Sequence, residues 1–180
     1  MRILFAAALM LLVAGGASAL VVNFDDLQGQ DLVPDGYGGI NWPGWYYYDS
    51  DQFPYNPSSP PCRVYNYTDP RFFFLEDSYF MGAFFNGYGS SDGFKDITLY
   101  GYYQGNLVGQ SATLPLFGDG VGGFLDSGFA DQMVDEIYVD GYPGFFIMDD
   151  VTYEVVPEPG TVTAFAGLVL GLGGILWRRK

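Results

Sequence analysis

The sequence predicts an all-β domain, a sandwich of two packed sheets, set between two terminal segments that do not belong to its core. Three observations carry this expectation. Short apolar runs recur between turn-forming residues from Phe72 onward, and no stretch has the 3.6-residue period of a long amphipathic helix. Both ends of the 180-residue chain are uncharged apolar segments with basic residues on one flank, the pattern of targeting or membrane segments.

Residues 1–19 read MRILFAAALMLLVAGGASA. Arg2 gives a positive start, and residues 3–13 form an apolar core shorter than the roughly 20 residues of a membrane span. Ala17 and Ala19 supply the small side chains that signal peptidase requires. Cleavage is expected after Ala19, leaving Leu20 as the first residue of the mature chain.

Candidate strands follow at 20–24, 71–76, 79–85, 94–103, 107–116, 122–126, 134–139 and 145–155. Ile137 and Val139 share one face and Glu136 and Tyr138 the other, while Phe145, Ile147, Val151 and Tyr153 have a single parity. A domain spanning 20–155 can bury one aromatic core between two sheets, whereas smaller units would lack both core and disulfide staples. Residues 101–109, GYYQGNLVG, read as a strand, a tight turn at 104–106 and a returning strand. The glycines are assigned to sheet turns, since no phosphate loop or dinucleotide fingerprint is present.

Charge narrows the function classes. Residues 20–156 hold 20 of the 21 acidic residues against Arg63, Arg71 and Lys95, a formal charge of −17. That field disfavours nucleic acid as a partner. Cys62 is the single cysteine, so no intrachain disulfide forms. With no histidine in the chain, histidine-based triads and imidazole zinc ligands are excluded. A glycosidase would need two carboxylates at a defined separation, and the abundance of acids gives that reading no specific support. The expectation is therefore a protein that is not an enzyme.

The stretch 41–61 reads as a long connection with short extended pieces, unusually rich in flat side chains. Aromatic rings stack on sugar faces while Asp and Asn orient hydroxyls, so Trp42, Trp45, Tyr46, Tyr47, Tyr48, Asp49 and Asn56 are the candidate carbohydrate-binding residues. The alternative is that these rings pin the loop onto the core. Asp49 and Asp51 in YDSDQF lack the continuation of an EF-hand, and the Asn66-Tyr67-Thr68 sequon reads as an ordinary turn. A self-associating envelope protein without a small ligand is the competing class, because glycine turns and aromatics also suit lateral packing.

After residue 155 the composition changes. Val156, Pro157, Glu158 and Pro159 form a rigid, extended break, since proline restricts the backbone and donates no hydrogen bond. Residues 161–177, TVTAFAGLVLGLGGILW, carry no charge and nearly cross a hydrocarbon layer at about 1.5 Å per residue. Trp177 suits the interface, and Arg178, Arg179 and Lys180 favour the cytoplasmic side. This order strongly resembles the PEP-CTERM sorting tail of exported bacterial proteins. The resemblance implies a transient inner-membrane anchor at 156–180, removed by a membrane-embedded exosortase, and delivery to the cell envelope, surface or an extracellular polysaccharide matrix.

The domain itself, through FDDL, YFMGAFFNG, ITLYGYYQGNLVG and FFIMDDVTYE, resembles jelly-roll-like sandwiches of exported PEP-CTERM proteins related to carbohydrate-binding modules. The resemblance implies that the first and last strands lie together, and some relatives hold a structural calcium near the ends of those strands. If those strands meet, one carboxylate from Asp25–Asp26 and one from Asp149–Asp150 can join backbone carbonyls as hard oxygen ligands. The alternative is that these acids close strand ends and turns through backbone hydrogen bonds.

Overall fold

The computed structural model describes residues 18–156. The expected signal segment, apart from its last two residues, and the tail beyond Val156 with its 161–177 span lie outside the described residues. Among the described residues no helix is long and apolar enough to cross a membrane.

The fold is all-β. Its strands are β1 (Leu20–Val22), β2 (Gln30–Leu32), β3 (Ile40–Asn41), β4 (Trp45–Tyr48), β5 (Arg63–Asn66), β6 (Arg71–Gly87), β7 (Ile97–Tyr103), β8 (Asn106–Leu114), β9 (Gly123–Asp126), β10 (Met133–Asp140) and β11 (Phe146–Val155). One antiparallel hydrogen-bonded network joins them in the order β2-β4-β5-β11-β6-β10-β7-β8, with β1 on β11 and both β3 and β9 on β6. The first and last strands do meet: Leu20 lies opposite Tyr153 and Val22 opposite Val151.

Two expected strands, 71–76 and 79–85, are one. These expected bounds leave Asp77 and Ser78 between two strands, but the chain continues through them as β6. The pairing with β10 steps from Phe73↔Glu136 to Ser78↔Val134, so the extra residues of β6 are expelled as a bulge in which Leu75, Glu76 and Asp77 are exposed. A second irregularity corrects the predicted parity of the last strand. Asp149 pairs with Phe84 and Thr152 with Gly82, which leaves one surplus residue in β11, and Asp150 has a φ of 47°. The face that carries Val151 and Tyr153 therefore continues as Met148 and Phe146, and these four join the core. Ile147 and Asp149 turn to the opposite face.

The β7–β8 hairpin forms where expected. Gln104 and Gly105 both have positive φ, as a two-residue type I′ connection demands. Gly101 and Gly109, however, are not turn residues. They face each other across β7 and β8, and a β-carbon on either would collide with the Phe129 ring. These glycines form a slot for a buried side chain.

In the absence of a disulfide, rings do most of the packing. Trp45, Phe72, Phe80, Phe85 and Phe146 are fully buried. Phe72 meets Trp42 at 5.0 Å between centroids with tilted rings and Phe80 edge-on at 5.9 Å, contacts worth roughly 0.5–1.5 kcal/mol each beyond area burial. Cys62 is buried and free, and burial pushes its thiol up to about 11.

The glycine slot yields a direct test. Gly101→Ala is expected to destabilise the purified chain by about 1–3 kcal/mol in urea unfolding through overpacking. Phe129→Leu in the same chain should recover part of that loss, giving a non-additive double-mutant cycle. Simple additivity would mean that the ring does not set the glycine requirement.

Candidate functional site

The site is built by period-two alternation along β4 and β5. Their register sets Trp45 opposite Asn66, Tyr46 opposite Tyr65, Tyr47 opposite Val64 and Tyr48 opposite Arg63. Trp45 and Val64 point into the core; Tyr46, Tyr48, Tyr65 and Arg63 share the other face. On that face Tyr46 stacks on Tyr65 at 5.7 Å and 16°, and Tyr67 meets Tyr65 edge-on at 5.2 Å. Gln30 on β2 donates its side-chain amide to the Tyr65 hydroxyl at 2.5 Å.

Beside these rings lies a cleft of about 330 Å³. Tyr48, Tyr55, Tyr65 and Tyr67 line it with Gln30 and Gln52, and Ile147, turned outward by the β11 bulge, contributes to its floor. Burial pushes the Tyr55 and Tyr65 phenols up, so both stay neutral O–H donors at physiological pH. No Asp or Glu is among the lining residues. Arg63 is. It is 1% exposed, its guanidinium lies 4.7 Å from the Tyr48 ring centroid, and Nη1 donates to the Ser50 carbonyl. Nη2 has no hydrogen-bond partner among the described residues. Burial lowers the Arg63 pKa from its ordinary value.

The predicted aromatic set divides. Trp42 and Trp45 are core anchors, at 3% and 0% exposure, because their indoles donate inward to the Tyr37 and Arg71 carbonyls at 2.9 and 2.7 Å. They offer no platform to a sugar. Tyr47 packs on the core, and Asp49 accepts the Gly29 amide at 2.7 Å. Asn56 donates to the Gly120 carbonyl at 3.0 Å. Tyr46 stacks next to the cleft, and Tyr48 lines it. Tyr55, Tyr65, Tyr67, Gln30, Gln52 and Arg63 were not singled out from sequence. The signal for two of them was Val64-Tyr65-Asn66-Tyr67, a clean period-two alternation that a glycosylation-type sequon obscured. Asn66 is in fact buried, its Oδ1 accepting the Thr68 amide at 2.7 Å as an ordinary turn.

The four candidate calcium ligands do not form one cluster of carboxylates. Asp25 accepts from the Asn23 amide at 2.9 Å, and Asp26 accepts the Tyr37 hydroxyl. Asp149 is fully buried and accepts the Ser59 and Asp150 amides at 2.9 and 2.8 Å, while Asp150 accepts the Ser59 hydroxyl at 3.1 Å. Among the described residues no three His, Cys, Asp or Glu side chains converge to hold a metal ion. The backbone hydrogen bonds to Asp149 follow the alternative reading, carboxylates that close turns.

The tail is decided separately from the domain. Residues 155–180 match the PEP-CTERM protein-sorting motif. The PEP-CTERM motif begins at the last residue of β11, so sorting signal and domain abut without a linker domain between them. It supports export and processing by an exosortase, as expected from Val156 to Pro159 and the terminal Arg178, Arg179 and Lys180. No curated protein and no solved structure matches the chain.

Asp149 gives a pH prediction. Desolvation raises its carboxyl from 3.8 to about 7, only partly countered by the Ser59 amide. The folded state thus binds this proton more tightly than the unfolded chain, so the contribution is fully present below about pH 4 and is lost as pH rises through 7. Urea midpoints from pH 4 to 8 should show the wild type losing stability relative to Asp149→Asn across that window. A constant difference would show that Asp149 does not titrate there.

Proposed function

We propose that this is an exported bacterial protein of the cell surface or extracellular matrix, processed through its PEP-CTERM tail, whose β domain binds polysaccharide without catalysing a reaction. The observation that carries the binding part is the cleft beside β4 and β5. Several tyrosine rings supply flat apolar contact, and phenols, Gln30 and Gln52 supply directional hydrogen bonding. That division of labour suits a sugar. A cleft wall without carboxylates also favours binding over hydrolysis, which needs a pair of them. The jelly-roll-like sandwich belongs to the same reading, supported by the pairing of the first and last strands. No cluster of three or more acidic side chains among the described residues supports adding a structural calcium to that reading.

Glycan-array screening followed by calorimetric titration of the full chain, solubilised in non-ionic detergent, tests the binding part. Tyr65→Ala should weaken the selected glycan roughly three- to tenfold, whereas Tyr100→Ala on β7 should leave it unchanged. Equal effects, or no glycan bound, would reject the cleft as a sugar site. Self-association is the competing reading, favoured by one feature: Phe53 and Val121 are each 70% exposed, and the Phe53 ring packs at Gly120, where a β-carbon would collide with it. Concentration-dependent light scattering of the same material, abolished by Phe53→Ser, would support that reading instead.

Processing is read by intact mass. The expected surface-released product begins at Leu20, which is also the first residue of β1, and lacks residues 161–180. A host without exosortase should retain the whole tail in the membrane. Release of the same product from both hosts would refute the sorting route.

A further inference from the structure

The three cations of the domain are not equivalent. Arg71 pairs with Asp69 and Glu136, and Lys95 pairs with Asp140. Arg63 has no carboxylate partner among the described residues, although the domain carries a formal charge of −17. It is instead built into the wall of the cleft, with one nitrogen held by Ser50 and Nη2 unpartnered. A buried guanidinium with an unmade hydrogen bond is costly, and the cost persists in the fold unless something else meets it. Asp51, in the loop after β4, acts on it through space but forms no ion pair with it.

We propose that the cleft recognises an acidic saccharide, with the carboxylate of a uronic acid or similar acidic sugar paired to Arg63. The inference rests on the polysaccharide reading above and narrows it to a ligand class. The planar guanidinium fork matches a carboxylate in geometry as well as charge. Tyr65 and Tyr67 offer their rings to the sugar body, and Gln30 and Gln52 bond its hydroxyls. Because Arg63 is almost wholly shielded, pairing with a carboxylate requires the cleft wall around it to open; exposed Gln52 and half-buried Tyr55, joined by a 2.7 Å backbone turn, line that wall. The negative charge of the domain opposes a polyanion at long range. At physiological salt that repulsion is screened beyond about 8 Å, which leaves the composition of the cleft wall to decide.

The test uses the full chain in non-ionic detergent and three probes, oligogalacturonate, oligomannuronate and a glucuronate-containing oligosaccharide. Each is compared with its own counterpart in which the carboxylates are reduced to alcohols. At least one acidic probe should bind about tenfold or more tightly than its reduced form. Arg63→Gln should abolish that preference, Arg63→Lys should keep part of it, and Tyr65→Ala should weaken both forms alike. Should Arg63→Gln fail to fold, the Arg63 Nε–H resonance of the wild type replaces it: it should shift with the acidic form and not with the reduced one. Equal binding of acidic and reduced forms overturns this inference and leaves the polysaccharide reading standing, and so does a preference that survives Arg63→Gln or an unshifted resonance. Binding of neither form overturns this inference, and the polysaccharide reading then stands or falls on the glycan array.

Discussion

Everything in the domain hangs on the pairing of β6 with β11. These two long strands run antiparallel from Phe146↔Gly87 to Val155↔Ser78, and β1, β3, β5, β9 and β10 all attach to one or the other. Neither strand is regular, and the irregularities do the shaping. The bulge in β6 lets one strand serve β10 and β3 at its start and β9 and β11 at its end. The surplus residue at Asp150 reverses which side chains of β11 face the core. A one-residue slip exchanges the two faces of a strand, so this bulge is what buries Met148 and presents Ile147 to the cleft.

The core and the cleft divide the aromatic residues by the same logic. Trp42 and Trp45 face inward, where their indole N–H groups find backbone carbonyls, and an unsatisfied donor there would be expensive. Tyrosine suits the boundary because its ring packs while its hydroxyl stays wet or bonded. The β4–β5 ribbon thus carries tryptophan on one face and a stacked tyrosine cluster on the other. Function, on the proposed reading, occupies the face that stability does not need.

Electrostatics follows from scarcity. With so few cations in an acidic domain, each placement matters. Two sit in exposed or half-exposed ion pairs of the kind worth little individually. The third is buried without a carboxylate, a position in which charge is hard to maintain for structural reasons alone. Asp149 is the acidic counterpart: it too is buried, but three donors surround it.

Sequence alone determined the all-β class, the β7–β8 hairpin, the alternation in β10 and the sorting tail. Each of these rests on local chemistry: period-two apolarity, a Gln-Gly connection with both φ positive, or the order of proline, apolar run and basic cluster. What only the tertiary structure decided is nonlocal. Whether Glu76-Asp77-Ser78 is a turn or a bulge depends on β10 pairing on both sides of it. Whether Gly101 serves a turn or a ring depends on Phe129, far along the chain. The cleft gathers residues from β2, β4, β5, β11 and the loop after β4, of which only Tyr48 stood out in its own segment. Local propensity is written in neighbouring residues, but a site is made by register, and register is fixed only when distant strands commit their faces to a common core.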